Sequence, residues 1–418
     1  MQKKAIPFFR PSIEQAEIDE VVDTLRSGWL TTGPKVRQFE AEFAAYVQQK
    51  NAVAVNSCTA ALHLALEAIG LESGQSVVVP TMTFAATAEV VRYFHAKPIL
   101  VDCRAGDFNL DTLDAETKIV AALDRGERVM GIIPVHYGGQ VGDLAAVGQL
   151  AQRYGLQVIE DAAHCCPAYY RSDATAPWKS AGTDSAISCY SFYANKTITT
   201  GEGGMACTQT DRSAERMRIM SLHGISRDAW KRFSAEGTWY YEIVAPGFKY
   251  NLTDIAAAIG LHQVRKADRL HQQRSRWASY YTERLRDVAE LTLPSQQPDR
   301  IHSWHLYVIR LRLDKLKIDR AQCITELKER GIGTSVHWMP LHMHPYYRET
   351  YGYKPADLPT AASLYPEIIT LPLYPDLTEA DVDYVCTALT EIITQNLAGR
   401  RATSAAPRKK QRGKREAK

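Results

Sequence analysis

Residues 186–208 read AISCYSFYANKTITTGEGGMACT. An apolar, β-prone run from Ala186 to Ser191 stops at a polar turn that carries Lys196 and three glycines. A second short β-prone run, Met205 to Thr208, follows. Toward the N-terminus the same alternation recurs. Ala52 to Val55, Ser76 to Val79, Pro98 to Asp102, Met130 to Val135 and Leu156 to Asp161 are five further apolar runs of strand length. Helical periods lie between them: Leu62, Leu66 and Ile69 share a face before Gly70, and Leu144, Val147 and Leu150 share one before Gly155. Apolar strands separated by amphipathic helices predict an α/β fold with a mostly parallel seven-stranded sheet, covered on both faces. A ligand then belongs beyond the carboxyl ends of the strands.

The flanks read differently. Ser12-Ile13-Glu14-Gln15 has the form of a capping box, with Ile18, Val21, Val22 and Leu25 at helical spacing and Gly28 as a stop. Residues 254–288 read as one long helix. A strand over Trp304 to Leu313, a helix over Arg320 to Arg330 and a last helix over Thr378 to Thr394 predict a smaller C-terminal α+β domain. The expected organisation is an N-terminal helix and loop (1–33), a large α/β domain (34–262), the small domain (263–396) and a disordered basic tail (397–418).

The 418 residues carry 50 Lys+Arg against 47 Asp+Glu, a net of +3. Nine of the basic residues and one acid lie from Arg400 to Lys418, so the remaining 399 residues have a net charge of −5. An acidic body with a basic tail that lacks aromatics argues against a nucleic-acid-binding protein. No run of about 18 apolar residues exists, so no membrane span is expected. The eight cysteines form no C-x-x-C pair, which favours free thiols in a reducing, cytoplasmic compartment.

Several unusual residues fall where strands end. Val158 to Asp161 closes on two acids and is followed by Ala162-Ala163-His164. Ser57, Cys58 and Thr59 follow a strand at a helix start, where amides and hydroxyls suit a phosphate. Lys196 sits in a segment poor in other charges, and a desolvated lysine becomes a usable nucleophile. Asp161 could hold a protonated ring nitrogen. Taken singly each has a plainer explanation: a solvated loop lysine, a helix cap, another helix cap. Together, a phosphate cradle, an acid for a ring nitrogen and a reactive lysine at one sheet edge are what pyridoxal 5'-phosphate requires.

SFYANKTITTGEGG resembles the lysine motif of the DegT/DnrJ/StrS family of sugar aminotransferases, which have the fold type I transferase architecture and depend on pyridoxal phosphate. SGWLTTGP, VNSCTAALHLAL, VIEDAAH, PGFKYNLTDIAAAIG and LPLYPDLT resemble further motifs in family order, from about residue 6 to 395. PVHYGG, LHGISRDAW and HSWHLYVIRL resemble the branch that makes UDP-4-amino-4-deoxy-L-arabinose. The resemblance implies that Lys196 carries the cofactor and that Asp161 pairs with its ring nitrogen. His164 falls near its phenolic oxygen, and Cys58, Thr59 and Ser191 receive its phosphate. Phe84 stacks on the ring, and Asn251 reaches the phosphate in a neighbouring subunit, so a homodimer is implied. Cys58 departs from the commoner Gly or Ala, which favours its backbone over its thiol. On the substrate side the likeness points to Trp29, Thr31, Lys249, Tyr250 and His337. The implied reaction is transamination of a UDP- or dTDP-linked 4-keto sugar with L-glutamate as donor. A 3-keto substrate and a non-catalytic regulatory member of the fold are the alternatives.

His337, His342 and His344 lack a nearby acid or cysteine to complete a metal site, so no metal is expected. His302 and His305 flank Trp304 in the expected strand and read as structural. Glu202-Gly203-Gly204 is followed by no Gly-Lys-Ser/Thr, which disfavours a nucleotide triphosphatase.

Overall fold

The computed structural model describes residues 5–226 and 241–398. The seven expected strands all form and lie in one sheet: β1 Asn51–Val55, β2 Ser76–Pro80, β3 Lys97–Val101, β4 Val129–Ile132, β5 Gln157–Asp161, β6 Ile187–Ser191 and β7 Gly204–Thr208. Their spatial order is β1-β7-β6-β5-β4-β2-β3. All neighbours pair in parallel except β7, which runs against both β6 and β1. The reversal follows from the turn at Lys196, which sends the chain straight back beside the strand it has just left. Strands such as β2 are buried throughout, as expected of a sheet covered on both faces.

The covering helices are α1 Gln15–Ser27, α2 Pro34–Tyr46, α3 Cys58–Ala68, α4 Ala86–Arg92, α5 Thr112–Asp124, α6 Leu144–Tyr154, α7 Asp211–Ser221 and α8 Asp254–Arg265. One apolar core joins α3, α4 and α7 to the sheet; another joins α2 and α8 to the opposite side through Phe39, Phe43 and Phe192. A separate core is built around Tyr281, Tyr307, Ile309 and Leu389. It unites α9 (Ala267–Leu285), the last helix Glu379–Gln395 and a three-stranded antiparallel sheet, β8 Leu291–Thr292, β9 Tyr307–Leu311 and β10 Ile368–Leu371.

Four expectations are corrected. The capping box at α1 is formed by Glu14 and Glu17, not by Ser12 and Gln15. Helix α1 also buries Glu17 and Thr24 and turns Ile18 and Leu25 outward, 48% and 52% exposed. Glu17 is buried because Lys266 and Gln263 meet its carboxylate at 2.6 and 2.8 Å. The long helix after residue 254 is two helices, α8 and α9, interrupted at Lys266, whose ammonium reaches into the N-terminal arm to Glu17 and to the carbonyl of Ser12. The strand expected from Trp304 begins only at Tyr307, because Trp304 adopts φ +50°, outside the strand region. The basic tail from Arg400 and the SRDAW half of LHGISRDAW beyond Ser226 lie outside the described residues.

Candidate active site

Beyond the carboxyl ends of β1, β5 and β6 lies a cavity of about 390 Å³. Its wall includes Cys58, Thr59, Phe84, Asp161, His164, Ser191, Lys196 and His337. Eight of the thirteen residues singled out in the sequence thus meet in one space. Trp29, Thr31, Lys249, Tyr250 and Asn251 do not line it.

Asp161 ends β5, and alternation along the strand sends its side chain into the cavity and that of Glu160 to the opposite face. Asp161 is 6% exposed. Thr87 Oγ1 donates to its Oδ2 at 2.8 Å and the Ala163 amide to its Oδ1 at 3.2 Å. Burial raises its pKa; those two hydrogen bonds and the nearby Lys196 oppose the rise. A buried carboxylate with two neutral donors and no salt bridge among the described residues is a place prepared for a cation. Glu160 behind it is fully buried against His136 Nε2 and the Gly182 amide, both at 2.7 Å.

Lys196 follows β6 by one turn. Burial pushes its pKa down to about 8, against the opposing pull of the Asp161 carboxylate. The same burial drives the Cys58 thiol well up, so it stays protonated and offers no anion.

The start of α3 offers backbone amides suited to an anion. Ser57 is its N-cap and accepts the Ala60 amide, while the amides of Cys58 and Thr59 belong to the first turn, which has no intrahelical partners. Gly204 on β7 passes directly beneath: a Cβ there would lie 2.4 Å from Ser57 C and 2.5 Å from Cys58 N. Only glycine allows that approach.

Phe84 is 61% exposed at the cavity wall. The Gly138 amide donates to His164 Nδ1 at 3.2 Å, so the ring proton of neutral His164 sits on Nε2. Burial, first, and Lys196, second, hold His164 well below the usual imidazole pKa. His337 faces Thr370 Oγ1 at 2.8 Å through Nδ1, and burial lowers its pKa to about 4. His342 and His344 turn elsewhere, toward Thr81 Oγ1 and the carbonyl of Met339.

The remaining sequence candidates form a second group beside the start of α3. Asn251 Nδ2 donates to Thr32 Oγ1 at 2.7 Å, Lys249 Nζ meets Asn251 Oδ1, and the Tyr250 carbonyl accepts the Asn56 amide. The Tyr250 hydroxyl meets His63 Nδ1 at 3.0 Å. Trp29 Nε1 donates to the carbonyl of Thr32, and the Thr31 carbonyl accepts the Asp254 amide.

Sequence reasoning missed Thr87, Thr83, Asn195, Trp338 and His305, all on the cavity wall. Thr87 looks like any residue of a short helix, and nothing local announces its partner 74 positions away. His305, read as structural, lines the cavity because the strand starts three residues later than expected.

Residues 11–390 match the family described as the DegT/DnrJ/EryC1/StrS aminotransferase family. The chain is 44% identical over 396 residues to the protein MJ1066 of Methanocaldococcus jannaschii, covering 95% of this chain and 100% of that one. It is 42% identical over 389 residues to the spore coat polysaccharide biosynthesis protein SpsC of Bacillus subtilis, covering 93% and 97%. Among solved structures, the PLP-form of the putative sugar aminotransferase Spr1654 from Streptococcus pneumoniae superposes with a TM-score of 0.84 at 31% identity, covering 94% of this chain and 99% of that one. The chain belongs to the DegT/DnrJ/EryC1/StrS aminotransferase family.

Proposed function

We propose that this family member uses pyridoxal phosphate to move an amino group from L-glutamate to a nucleotide-linked keto sugar. Its product is an amino sugar for a surface polysaccharide. The observation that carries the reading is one buried cavity pairing a weakly basic lysine, Lys196, with a carboxylate that lacks a cation, Asp161. The likeness to SpsC supports the polysaccharide context, and the likeness to a PLP-form sugar aminotransferase supports the cofactor. A UDP- or dTDP-4-keto sugar is the substrate we favour.

When bound, pyridoxal phosphate supplies an aldehyde that an amine can join and a ring that takes up the electron pair left by a departing C–H proton. The chain does the rest. The Cys58 and Thr59 amides, with the Thr59 and Ser191 hydroxyls, hold the phosphate. Phe84 covers one ring face. His164 offers its Nε2 proton to the ring oxygen. Asp161 keeps a proton on the ring nitrogen by charge, and Thr87 and Ala163 keep Asp161 ionised and aimed. Lys196 Nζ would take the proton from Cα of the amino donor and return it to the cofactor's carbonyl carbon, on the other side of the nitrogen. A pKa of about 8 leaves about one lysine in ten neutral at pH 7, against about one in three thousand for a solvated lysine with its ordinary value of 10.5.

The functional unit is a homodimer in this reading. Ile18 and Leu25 on α1, with Ile13, Trp29 and Leu30, form an exposed apolar run that a second copy covers. Asn251 then reaches the phosphate of the neighbouring site. No helix among the described residues is long and apolar enough to cross a membrane. All eight cysteines are free, in keeping with a cytoplasmic setting.

The test follows the two half-reactions separately. The cofactor-loaded protein is mixed with L-glutamate and its absorbance recorded; UDP- and dTDP-linked 3- and 4-keto sugars are then added in turn. A glutamate-dependent loss of the loaded protein's long-wavelength absorbance with stoichiometric 2-oxoglutarate, reversed by a 4-keto sugar, is expected. An unchanged spectrum would leave only a non-catalytic member of the fold, and reversal by 3-keto sugars alone would move the reaction to C3.

A further inference from the structure

His302 to Leu306 form a turn that is pinned on every side. The Ser303 amide donates to the Gly139 carbonyl at 2.9 Å and the Leu306 amide to the Gly138 carbonyl at 3.1 Å. Ser303 Oγ donates to the His164 carbonyl. The Trp304 amide donates to His302 Nδ1 at 2.9 Å, and the two rings stack at 4.1 Å. Buried Arg274 reaches the Trp304 carbonyl, and His271 Nε2 meets the His302 carbonyl at 2.9 Å. Within this frame Trp304 is held at φ +50°, a left-handed conformation that a bulky residue adopts only under constraint.

The consequence of the constraint is the position of His305. Its ring is 5% exposed, lines the cavity and lies 4.3 Å from the ring of His164. Its Nδ1 is buried without a hydrogen-bond partner, and no bond to its ring is formed among the described residues. Every other polar group of the turn named above is spent on holding the backbone. With Nδ1 shut in and no bond to Nε2 among the described residues, Nε2 is the ring atom left for a ligand.

We infer that His305 positions the sugar substrate by a hydrogen bond from its imidazole to a ring hydroxyl or carbonyl oxygen of the keto sugar. This rests on the sugar aminotransferase reading above and specifies which substrate His305 serves. An orphaned buried N–H is rarer than an orphaned lone pair, so the proton belongs on Nε2, as it does in His164. Burial, and next His164 and Lys196, hold the ring neutral. A neutral donor does not suit the carboxylates of an amino acid, which call for a guanidinium or ammonium. Among the described residues the cavity wall has no arginine, and its one lysine is Lys196. Asn195 Oδ1, also buried and unpartnered, and Thr83 add further neutral hydrogen-bonding groups beside the aromatic faces of Phe84, Tyr193 and Trp338. That lining fits a polyhydroxylated ring.

The experiment compares wild type with His305→Gln, whose amide nitrogen reaches the Nε2 position, and His305→Asn, whose amide does not. Single-turnover half-reactions are followed by cofactor absorbance, first with L-glutamate, then with UDP- and dTDP-4-keto-6-deoxyglucose. We expect the glutamate half-reaction, the cofactor spectrum and the melting temperature to stay near wild type in both variants. The keto-sugar half-reaction should lose about 10- to 100-fold in rate over KM in His305→Asn, and His305→Gln should recover most of it. Equal losses in both half-reactions, or none in either, would overturn the inference while leaving the enzyme's activity established. A wild type inert toward both sugars but active with glutamate would overturn the substrate reading and this inference with it. If His305→Asn fails to fold, His305→Phe, which keeps the ring's shape without its donor, takes its place: a sugar half-reaction that falls at least about 10-fold further than the glutamate one supports the role, and parallel losses refute it.

Discussion

Lys196 is an amine whose proton affinity is set by its surroundings, and its reactivity should follow pH accordingly. Burial lowers its pKa from 10.5 to about 8, and the charge of Asp161 limits the fall. The neutral fraction at pH 7 is then roughly 300 times that of a solvated lysine. Between pH 7 and 8 the fraction should rise about fivefold, and between pH 9 and 10 by only about a tenth, where a solvated lysine still gains about eightfold. The assay is competitive acetylation of the cofactor-free protein by trace acetic anhydride over pH 6–11. The Lys196 peptide is quantified by mass spectrometry against free lysine in the same tube. A plateau by pH 9 with a midpoint near 8 is expected. In Asp161→Asn the negative charge that opposes the fall is gone, so the midpoint should move lower still. A Lys196 rate still climbing about eightfold between pH 9 and 10, or a midpoint that rises in Asp161→Asn, would refute the reasoning. The linkage has a definite sign: the unfolded chain binds more protons than the folded one between pH 8 and 10.5, so the contribution of Lys196 to stability increases with pH through that window.

Thr87→Val keeps the shape but removes the hydroxyl that donates to Asp161 Oδ2, so the Asp161 pKa should rise further and cofactor affinity fall about 10-fold by absorbance titration, with Thr87→Ser near wild type. Gly204→Ala drives a Cβ into the backbone of Ser57 and Cys58. It should cost about 1–3 kcal/mol in urea unfolding and weaken binding of pyridoxal phosphate more than that of phosphate-free pyridoxal. Ile18→Asp combined with Leu25→Asp should convert a dimer to a monomer in sedimentation velocity while changing monomer stability by less than about 1 kcal/mol, because both side chains face outward.

The sheet was legible because each of its strands is short, apolar and closed by a turn residue. Gly28 and Gly155 stop their helices in the left-handed conformation, as their positions in the sequence imply. The cavity was legible where function sits at strand ends: Asp161, Ser191 and Lys196 belong to segments that local patterns already isolate. What could not be read depends on distant partners. The outward face of α1 has ordinary amphipathic spacing, and its burial is inverted by Lys266 and Gln263, about 250 residues away. Lys266 also breaks the helix that spacing alone makes continuous. His305 was assigned to a strand because HSWHLYVIRL is β-prone throughout, while hydrogen bonds to Gly138, Gly139 and His164 hold its first residues in a turn. Thr87 carries no local signal, since the carboxylate it serves is on another element.

The central claim is that Lys196 is the residue that carries the cofactor. Reduction of the protein with borohydride in the presence of pyridoxal phosphate, followed by digestion and mass spectrometry, tests it directly. A single pyridoxyl group on the peptide containing Lys196, absent from Lys196→Ala, is the predicted result. A stable label on any other lysine, or no label at all, would contradict the account.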